Sequence, residues 1–361
     1  MGNSPAQVWQ SYLDDNHCMA FAEGDWRAPL ASSAREEVAK LASAGSRLKN
    51  LDPSVHFAIA ASRRAVARAG WDSNFGINIG SSRGATSLFE KHHAEYLATG
   101  RAATLASPVT TLGNISSWVA QDLQATGPEI SHSITCSTSL HALLNGVAWL
   151  KSGMAEKFLV GGSEAPLTAF TIAQMKALKI YAKPGGDFPC RAMDFDKKSN
   201  GMVLGEGAAA CCLQPGRDEN ALAVIAGVGF ATEATGHATA ISAQANCFQK
   251  SMAMALNGRR PDVIVMHAPG TIAGDNAEHA AINAVLGPNL PMLTTNKWKT
   301  GHTFGASGML SVEFAILMMQ HQRFIGIPYL DMPSHPAEVR SVLVNSVGFG
   351  GNAVSVLLEL P

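Results

Sequence analysis

The sequence predicts an α/β protein built from two similar halves. Strand-like and helix-like segments alternate from end to end, and no low-complexity linker divides them. Apolar residues make up 47% of the 361 positions and charged residues 15%, enough for a sizeable buried core. The grammar of elements in residues 1–215 recurs in residues 216–361, without the fixed residue period of a solenoid.

The elements follow in order. "DPSVHFAIAASRRAVARAGW" starts a helix at Asp52 and Pro53, carries Phe57, Ala61, Ala65 and Val66 along one stripe, and stops at Gly70. "FGINIGSS" reads as a short buried strand, and "PEISHSI" as another. "SLHALLNGVAWLKSG" places Leu140, Leu143, Leu144, Val147 and Leu150 at helical spacing, with Gly153 as the stop. "EKFLVGGSEA" is a strand ending in glycines, and "GMVLGEGAAACCLQPG" has the pattern of a strand pair closing the first half. The second half repeats the plan. "ALAVIAGVGFAT" is a strand, "AQANCFQKSMAMALN" a helix, "DVIVMHAPGT" a strand running into a loop, and "GDNAEHAAINAVLG" a helix. "MLTTNKWKTGHTFGASGMLSVEFAILMMQ" reads as strand, loop and helix, and "SVLVNSVGFGGNAVSVLLEL" as two strands joined by a glycine turn.

Bulk properties exclude several classes of function. A net charge of −1 argues against a nucleic-acid binder, which would be basic. No apolar run approaches the roughly 18 residues that span a bilayer, and the start lacks a signal-peptide pattern. The six cysteines form no C-x-x-C pair and no disulfide framework. The expectation is a cytoplasmic protein with reduced thiols. No metal-ligand spacing is visible, and the adjacent His92 and His93 fit a solvated helix face.

One cysteine stands out. Cys136, in "ITCSTSL", falls between a strand-like segment and a helix. A helix N-terminus supplies partial positive charge and free N–H groups, which favour a thiolate and can bind an oxyanion. A buried structural cysteine is the plainer alternative at that position. Two further stretches weigh against it. His267 directly follows an apolar strand, and Lys297 and His302 lie in a glycine-rich loop between a strand and a helix. Strand ends are where α/β folds gather their chemistry. Each histidine alone is more often structural; three such ends together predict a converging site.

These segments resemble those of a condensing enzyme of the thiolase fold, a β-ketoacyl-acyl-carrier-protein synthase of the KAS I/II type. "TCSTSLHAL", "CRAMDFDKKSNGMVLGEGAAA", "HAPGTIAGDNAE", "NKWKTGHTFGASG" and "NSVGFGGNAVSVLLE" match that family's motifs in order along nearly the whole chain. The resemblance implies a layered α-β-α-β-α architecture, with the nucleophile in residues 1–215 and both histidines and the lysine in 216–361. It implies that Cys136 takes the acyl chain as a thioester. His267 and His302 would promote decarboxylation of a malonyl thioester, and Lys297 would support them. Asp275 and Glu278 would join the lysine network, with Thr271 and Thr300 in support. Phe349 would gate the site, and its N–H would form an oxyanion hole with that of Cys136. No cofactor is implied beyond the phosphopantetheine of an acyl carrier protein, the expected partner. A homodimer, or a heterodimer with a homologous subunit, is also implied.

The chain departs from the family pattern at several places. The family's first strand would end where Met1 stands, so either the true start lies upstream or the first half has one strand fewer. Ala268 and Pro269 replace a Gly-Thr pair; Ser311 stands where a glutamate is usual, with Glu313 two residues on; Ser199, Asn200 and Gly201 replace Arg-Asp-Gly. A short, divergent member implies a specialised route, such as a polyketide or polyene pathway, over housekeeping fatty-acid synthesis. Two alternatives stay open: a thiolase-like acyl-transfer enzyme, disfavoured by the Cys-His-His set, and a chain-length-factor-like partner subunit, disfavoured by Cys136. Arg63, Arg64, Arg68, Arg47 and Lys49 are candidates for docking an acidic carrier. "SPVTTLGNISSW" is a candidate lining of an acyl tunnel.

Overall fold

A computed structural model describes residues 1–112, 114–236, 241–332, 336 and 338–361. The first half opens with α1 (Pro5–Tyr12), the hairpin β1 (Ala20–Ala22) and β2 (Asp25–Arg27), α2 (Ser32–Ser43) and α3 (Pro53–Ala69). It continues through β3 (Gly76–Gly80), α4 (Thr86–Thr99), α5 (Ala106–Thr110), α6 (Asn114–Leu123) and β4 (Glu129–Ile130). It ends with α7 (Thr138–Lys151), β5 (Phe158–Glu164), α8 (Ala169–Ala177) and β6 (Gly207–Leu213). The second half runs β7 (Val224–Thr232), α9 (Asn246–Leu256), β8 (Val263–Val265), α10 (Ile272–Leu286), β9 (Met292–Thr294) and α11 (Lys297–Thr300). A 3-10 turn at Phe304–Ala306 then leads into α12 (Ser307–Gln320), β10 (Ser341–Gly348) and β11 (Asn352–Glu359).

The strands assemble into two main sheets. The first has the order β4-β3-β5-β6, the second β9-β8-β10-β11-β7. In each, the strand after the central pair turns back: β6 runs antiparallel to β5, and β11 antiparallel to β10. Side chains alternate between faces, as a pleated strand requires. Along β10, Val342 and Val344 enter one core while Leu343 enters another; along β5, Phe158 and Val160 face one way and Leu159 the other.

That alternation sets five layers. Helices α3 and α6 cover the outer face of the first sheet, with Ile59, Ile115 and Val119 against Ile77 and Ile79. Helices α9 and α10 cover the outer face of the second, through Phe248, Met252 and Ile282. Between the sheets lie α7 and α12, whose Leu140, Leu143, Val312 and Phe314 share a core with Phe158, Val344 and Val356. A side chain of this kind, fully buried, contributes roughly 1.5–3 kcal/mol. The architecture is α-β-α-β-α, as the resemblance implied.

Local signals place the helices. Asp52 caps α3, accepting from Ser54 N–H at 2.9 Å, and Gly70 ends it in the left-handed region at φ 62°. Two strand expectations shrink. "GMVLGEGAAACCLQPG" forms one strand rather than a pair, because residues 201–206 make only single bridges, such as Leu204 with His302. "PEISHSI" joins the sheet at Glu129–Ile130, on its edge, and Ile134 makes a single bridge to Cys136. Among the described residues no strand pairs with the outer edge of β6, whereas the equivalent edge of β11 carries β7 antiparallel.

Candidate active site

Cys136 sits two residues before α7, at the end of the segment that follows β4. The preceding residue, Thr135, is in the left-handed region at φ 47°, a conformation that β-branched residues rarely adopt. Its neighbours hold it there. Thr138 Oγ1 donates to Thr135 O at 2.5 Å and accepts from Ile134 N–H at 2.9 Å, and Ser82 Oγ donates to Thr135 O at 2.6 Å. The second half closes over the same turn. Ser346 Oγ on β10 donates to Cys136 O at 3.2 Å. A Cβ on Gly348 would fall 2.6 Å from Ile134 O, so only glycine lets β10 approach this closely. Cys136 is 7% exposed as a residue and shares a buried cluster with Ile172, Met175, Tyr181, Met202, Leu204 and Phe304.

His267 lies two residues past the end of β8, after Met266. Its N–H donates to Glu278 Oε1 at 2.9 Å, and the N–H of Ala268 donates to Glu278 Oε2 at 2.9 Å. His302 lies between α11 and the 3-10 turn, and its N–H donates to Val203 O at 2.6 Å. The two imidazoles meet edge to face, with ring centroids 5.2 Å apart at 90°. Among the described residues, neither buried Nδ1 atom has a hydrogen-bond partner. Backbone strain marks these loops as well: Ala268, next to His267, has φ 27°, and Phe304, two residues past His302, has φ 42°.

Lys297 opens α11 and is 1% exposed. Its charge connects the set. Burial holds His302 down to about 3, and Lys297 adds to that; burial, then His302, then Lys297 hold His267 well below its ordinary value. Both rings are therefore neutral at pH 7, each with one N–H to donate. Burial pushes Cys136 up to about 12 and the Glu164 carboxylate adds to this, while Lys297 opposes it. Lys297 itself is brought down to about 8 by burial, against the pull of Glu278.

The acidic residues divide their work. Glu278, pushed up to about 7 by burial, is spent on two backbone N–H groups and on Asn345 Nδ2, and is the carboxylate that weighs most on Lys297. Asp275 pairs instead with Lys197, at 2.7 Å, and accepts from Met193 N–H and Gly270 N–H. The implied link from Asp275 to Lys297 is thus a distant one, because Lys197 occupies the carboxylate. Thr271 caps α10, accepting from Gly274 N–H at 3.2 Å, and Thr300 Oγ1 donates to Asn296 O at 3.0 Å. Phe349 lies in the β10–β11 turn and is 36% exposed.

Sequence reasoning missed Glu164. It is fully buried at the end of β5 and accepts from Ser82 N–H and from Gly305 N–H, joining the loop after β3 to the loop after His302. Its one signal was a carboxylate at the end of an apolar strand, in "LVGGSE". The docking candidates are largely paired. Arg63 forms a two-pronged bridge to Asp122 at 2.7 and 2.6 Å, Arg64 binds Glu37 at 2.6 Å, and Arg47 stacks over Trp118. Arg68 and Lys49 are exposed. The tunnel candidate, residues 107–118, spans α5 and the start of α6; Gly113 lies outside the described residues. No described helix is long and apolar enough to cross a membrane, and the described residues hold no cluster of three or more metal-binding side chains.

Comparison with known proteins gives a consistent picture. The profile of the beta-ketoacyl synthase N-terminal domain matches residues 2–219, and that of the C-terminal domain matches 222–328. The chain is 26% identical over 395 residues to a 3-oxoacyl-[acyl-carrier-protein] synthase 2 of Coxiella burnetii, covering 99% of this chain and 95% of that protein. It is 28% identical over 338 residues to nodulation protein E of Rhizobium meliloti, covering 85% and 82%. Among solved structures, the ishigamide ketosynthase/chain length factor superposes with a TM-score of 0.83 at 21% identity, covering 99% and 95%. A type II polyketide acyl-carrier protein in complex with its ketosynthase also superposes at 0.83, with 19% identity and the same coverage.

Proposed function

Since the chain belongs to the beta-ketoacyl synthase family, we propose that it joins an acyl chain held on Cys136 to a malonyl unit carried on an acyl carrier protein. The reach of Lys297's charge to Cys136, His267 and His302 together carries this reading. In the first step the Cys136 sulfur attacks the carrier-bound acyl thioester. The carrier thiol leaves with the proton, and the acyl chain becomes a thioester on Cys136. The start of α7 and Lys297 both favour negative charge on that sulfur, and the N–H groups of Cys136 and Phe349 are the proposed oxyanion donors.

In the second step malonyl-carrier loses CO2, and the electron pair moves onto the thioester oxygen as an enolate. The neutral imidazoles of His267 and His302 donate to that oxygen. A preorganised donor of this kind stabilises the developing charge by about 2.7–4 kcal/mol. The enolate carbon then attacks the acyl-Cys136 carbonyl, the Cys136 sulfur leaves, and a β-ketoacyl chain remains on the carrier. Residues 1–215 supply the nucleophile and 216–361 the decarboxylating groups.

A second reading is a partner subunit resembling a chain-length factor, supported by Pro269 and Ser311 and by the likeness to a ketosynthase/chain length factor structure. Single-turnover decarboxylation of malonyl-carrier, beside Cys136→Ala and intact-protein mass spectrometry after exposure to acyl carriers, separates the two. The ketosynthase loads an acyl group on Cys136 and releases CO2. A chain that does neither is the non-elongating subunit. The divergence of the motifs favours a polyketide or polyene route over general fatty-acid elongation, and the mass of the loaded chain tests that.

A further inference from the structure

Among the described residues, the buried Lys297 has no carboxylate partner. An ammonium at 1% exposure is costly unless it is paired or hydrogen-bonded. Two nearby lysines are satisfied: Lys197, its side chain 4% exposed, pairs with Asp275, and the fully buried Lys299 bonds to Asp14 and two backbone carbonyls. Among the described residues no carboxylate forms an ion pair with Lys297. Its short contact is to a neutral amide, with Nζ donating to Asn296 Oδ1 at 3.3 Å.

That amide is itself fixed. Ser311 Oγ donates to the same Oδ1 at 3.3 Å, and Asn296 and Ser311 are each 1% exposed. The ammonium has no acceptor lone pair, so Oδ1 must face it, and among the described residues the buried Nδ2 makes no hydrogen bond of ordinary geometry. The Tyr12 hydroxyl at the end of α1 is a further polar neighbour of the amide. Lys297 is faced from other elements by Glu278 and Asp275 on α10, by the thiols of Cys190 and Cys136, and by the neutral rings of His267 and His302. Of the carboxylates, Glu278 is turned to the backbone and Asp275 to Lys197.

We propose that Asn296, oriented by Ser311, is the positioning residue for Lys297, holding the ammonium with a neutral oxygen in place of a carboxylate. This rests on the ketosynthase reading for its catalytic consequence, though not for its geometry. A neutral oxygen orients Nζ without adding a countercharge. The lysine then loses its proton at lower pH than a carboxylate-paired one would, and the histidines feel a full positive charge while it lasts.

The test uses the full-length protein with Asn296→Ala, Asn296→Asp and Ser311→Ala. Two readouts are followed: the pH dependence of malonyl-carrier decarboxylation, and a 15N titration of the Lys297 side chain in free protein, assigned by its loss in Lys297→Met. Asn296→Asp should move the alkaline limb and the amine midpoint upward by about one pH unit or more. Asn296→Ala should move both downward and lower kcat about tenfold with KM little changed. Ser311→Ala should give a smaller shift in the same downward direction. Amine midpoints that coincide in all variants overturn the assignment. If Asn296→Asp fails to fold, Ser311→Ala decides alone, and an unchanged midpoint there overturns it. Shifted midpoints in a protein that does not decarboxylate malonyl-carrier would sink the ketosynthase reading and leave the positioning role standing.

Discussion

The turn from β4 into α7 and the connection from β9 into α12 occupy the same place in the two sheets. Each leaves an edge strand that runs parallel to its neighbour, and each feeds a helix of the central layer. One carries Cys136 and the other His302. Both are strained close to the proposed site residue, at Thr135 next to Cys136 and at Phe304 two residues past His302. The difference lies in distance from the helix. Cys136 is two residues from Thr138, inside the field of the N-terminus. His302 is set five residues ahead of Ser307, with the 3-10 turn between them. A thiol gains from a helix dipole because its reactive form is an anion, whereas the role proposed for the imidazole needs the neutral ring, which burial and then Lys297 favour. Equivalent scaffolding therefore supports opposite electrostatic needs.

The comparison breaks first if the two turns are not chemically separate. Cys136→Ala should abolish acyl loading while leaving malonyl-carrier decarboxylation measurable. His302→Ala should leave loading intact and slow decarboxylation about 10²–10³-fold. Loss of both activities in either variant would mean that the turns act as one unit.

Stability gives the next largest effect. The loop after His267 is anchored by the buried Lys197–Asp275 pair, while the first half anchors its loops through Glu164 with no cation against it in the described ion pairs. Lys197→Ala leaves an uncompensated buried carboxylate and should cost about 3–5 kcal/mol in denaturant unfolding. A change under about 1 kcal/mol would show the pair to be dispensable.

The pH response should sharpen the contrast. Burial and then Lys297 lower His302 to about 3, and burial lowers His267 as well. Because these folded-state values are depressed, the neutral rings persist through pH 6.5, and their contribution to stability is lost only as pH falls from there toward 3. Decarboxylation should show no acid limb near 6.5; a limb centred there would mean that the rings are solvated. On the first-half side, the Glu164 carboxylate raises Cys136 after burial does. Glu164→Gln keeps an acceptor for Ser82 and Gly305 but removes the charge, so alkylation of Cys136 at pH 8 should quicken several-fold. An unchanged or slower rate would remove Glu164 from the account.

The smallest effect concerns the sheets themselves. Both edges of β11 are paired, and only one edge of β6 is paired among the described residues. Amides of β6 that do not bond to β5 should exchange with deuterium faster than any in β11. Equal protection would mean that the outer edge of β6 is covered.

The sequence by itself determined the alternating elements, the stops at Gly70 and Gly153, and the strand-end placement of Cys136, His267, Lys297 and His302. Those depend on periodicity and turn chemistry, which act over a few residues. Family motifs then supplied the layered architecture. Only the tertiary structure decided which carboxylate serves which cation. Asp275 goes to Lys197, Glu278 to the backbone, Glu164 to two loops of different halves, and Lys297 is left to an amide. Such pairing is set by who is buried against whom across gaps of up to 141 residues, and in a dry interior a shift of a few ångströms changes the electrostatic balance more than any local propensity can.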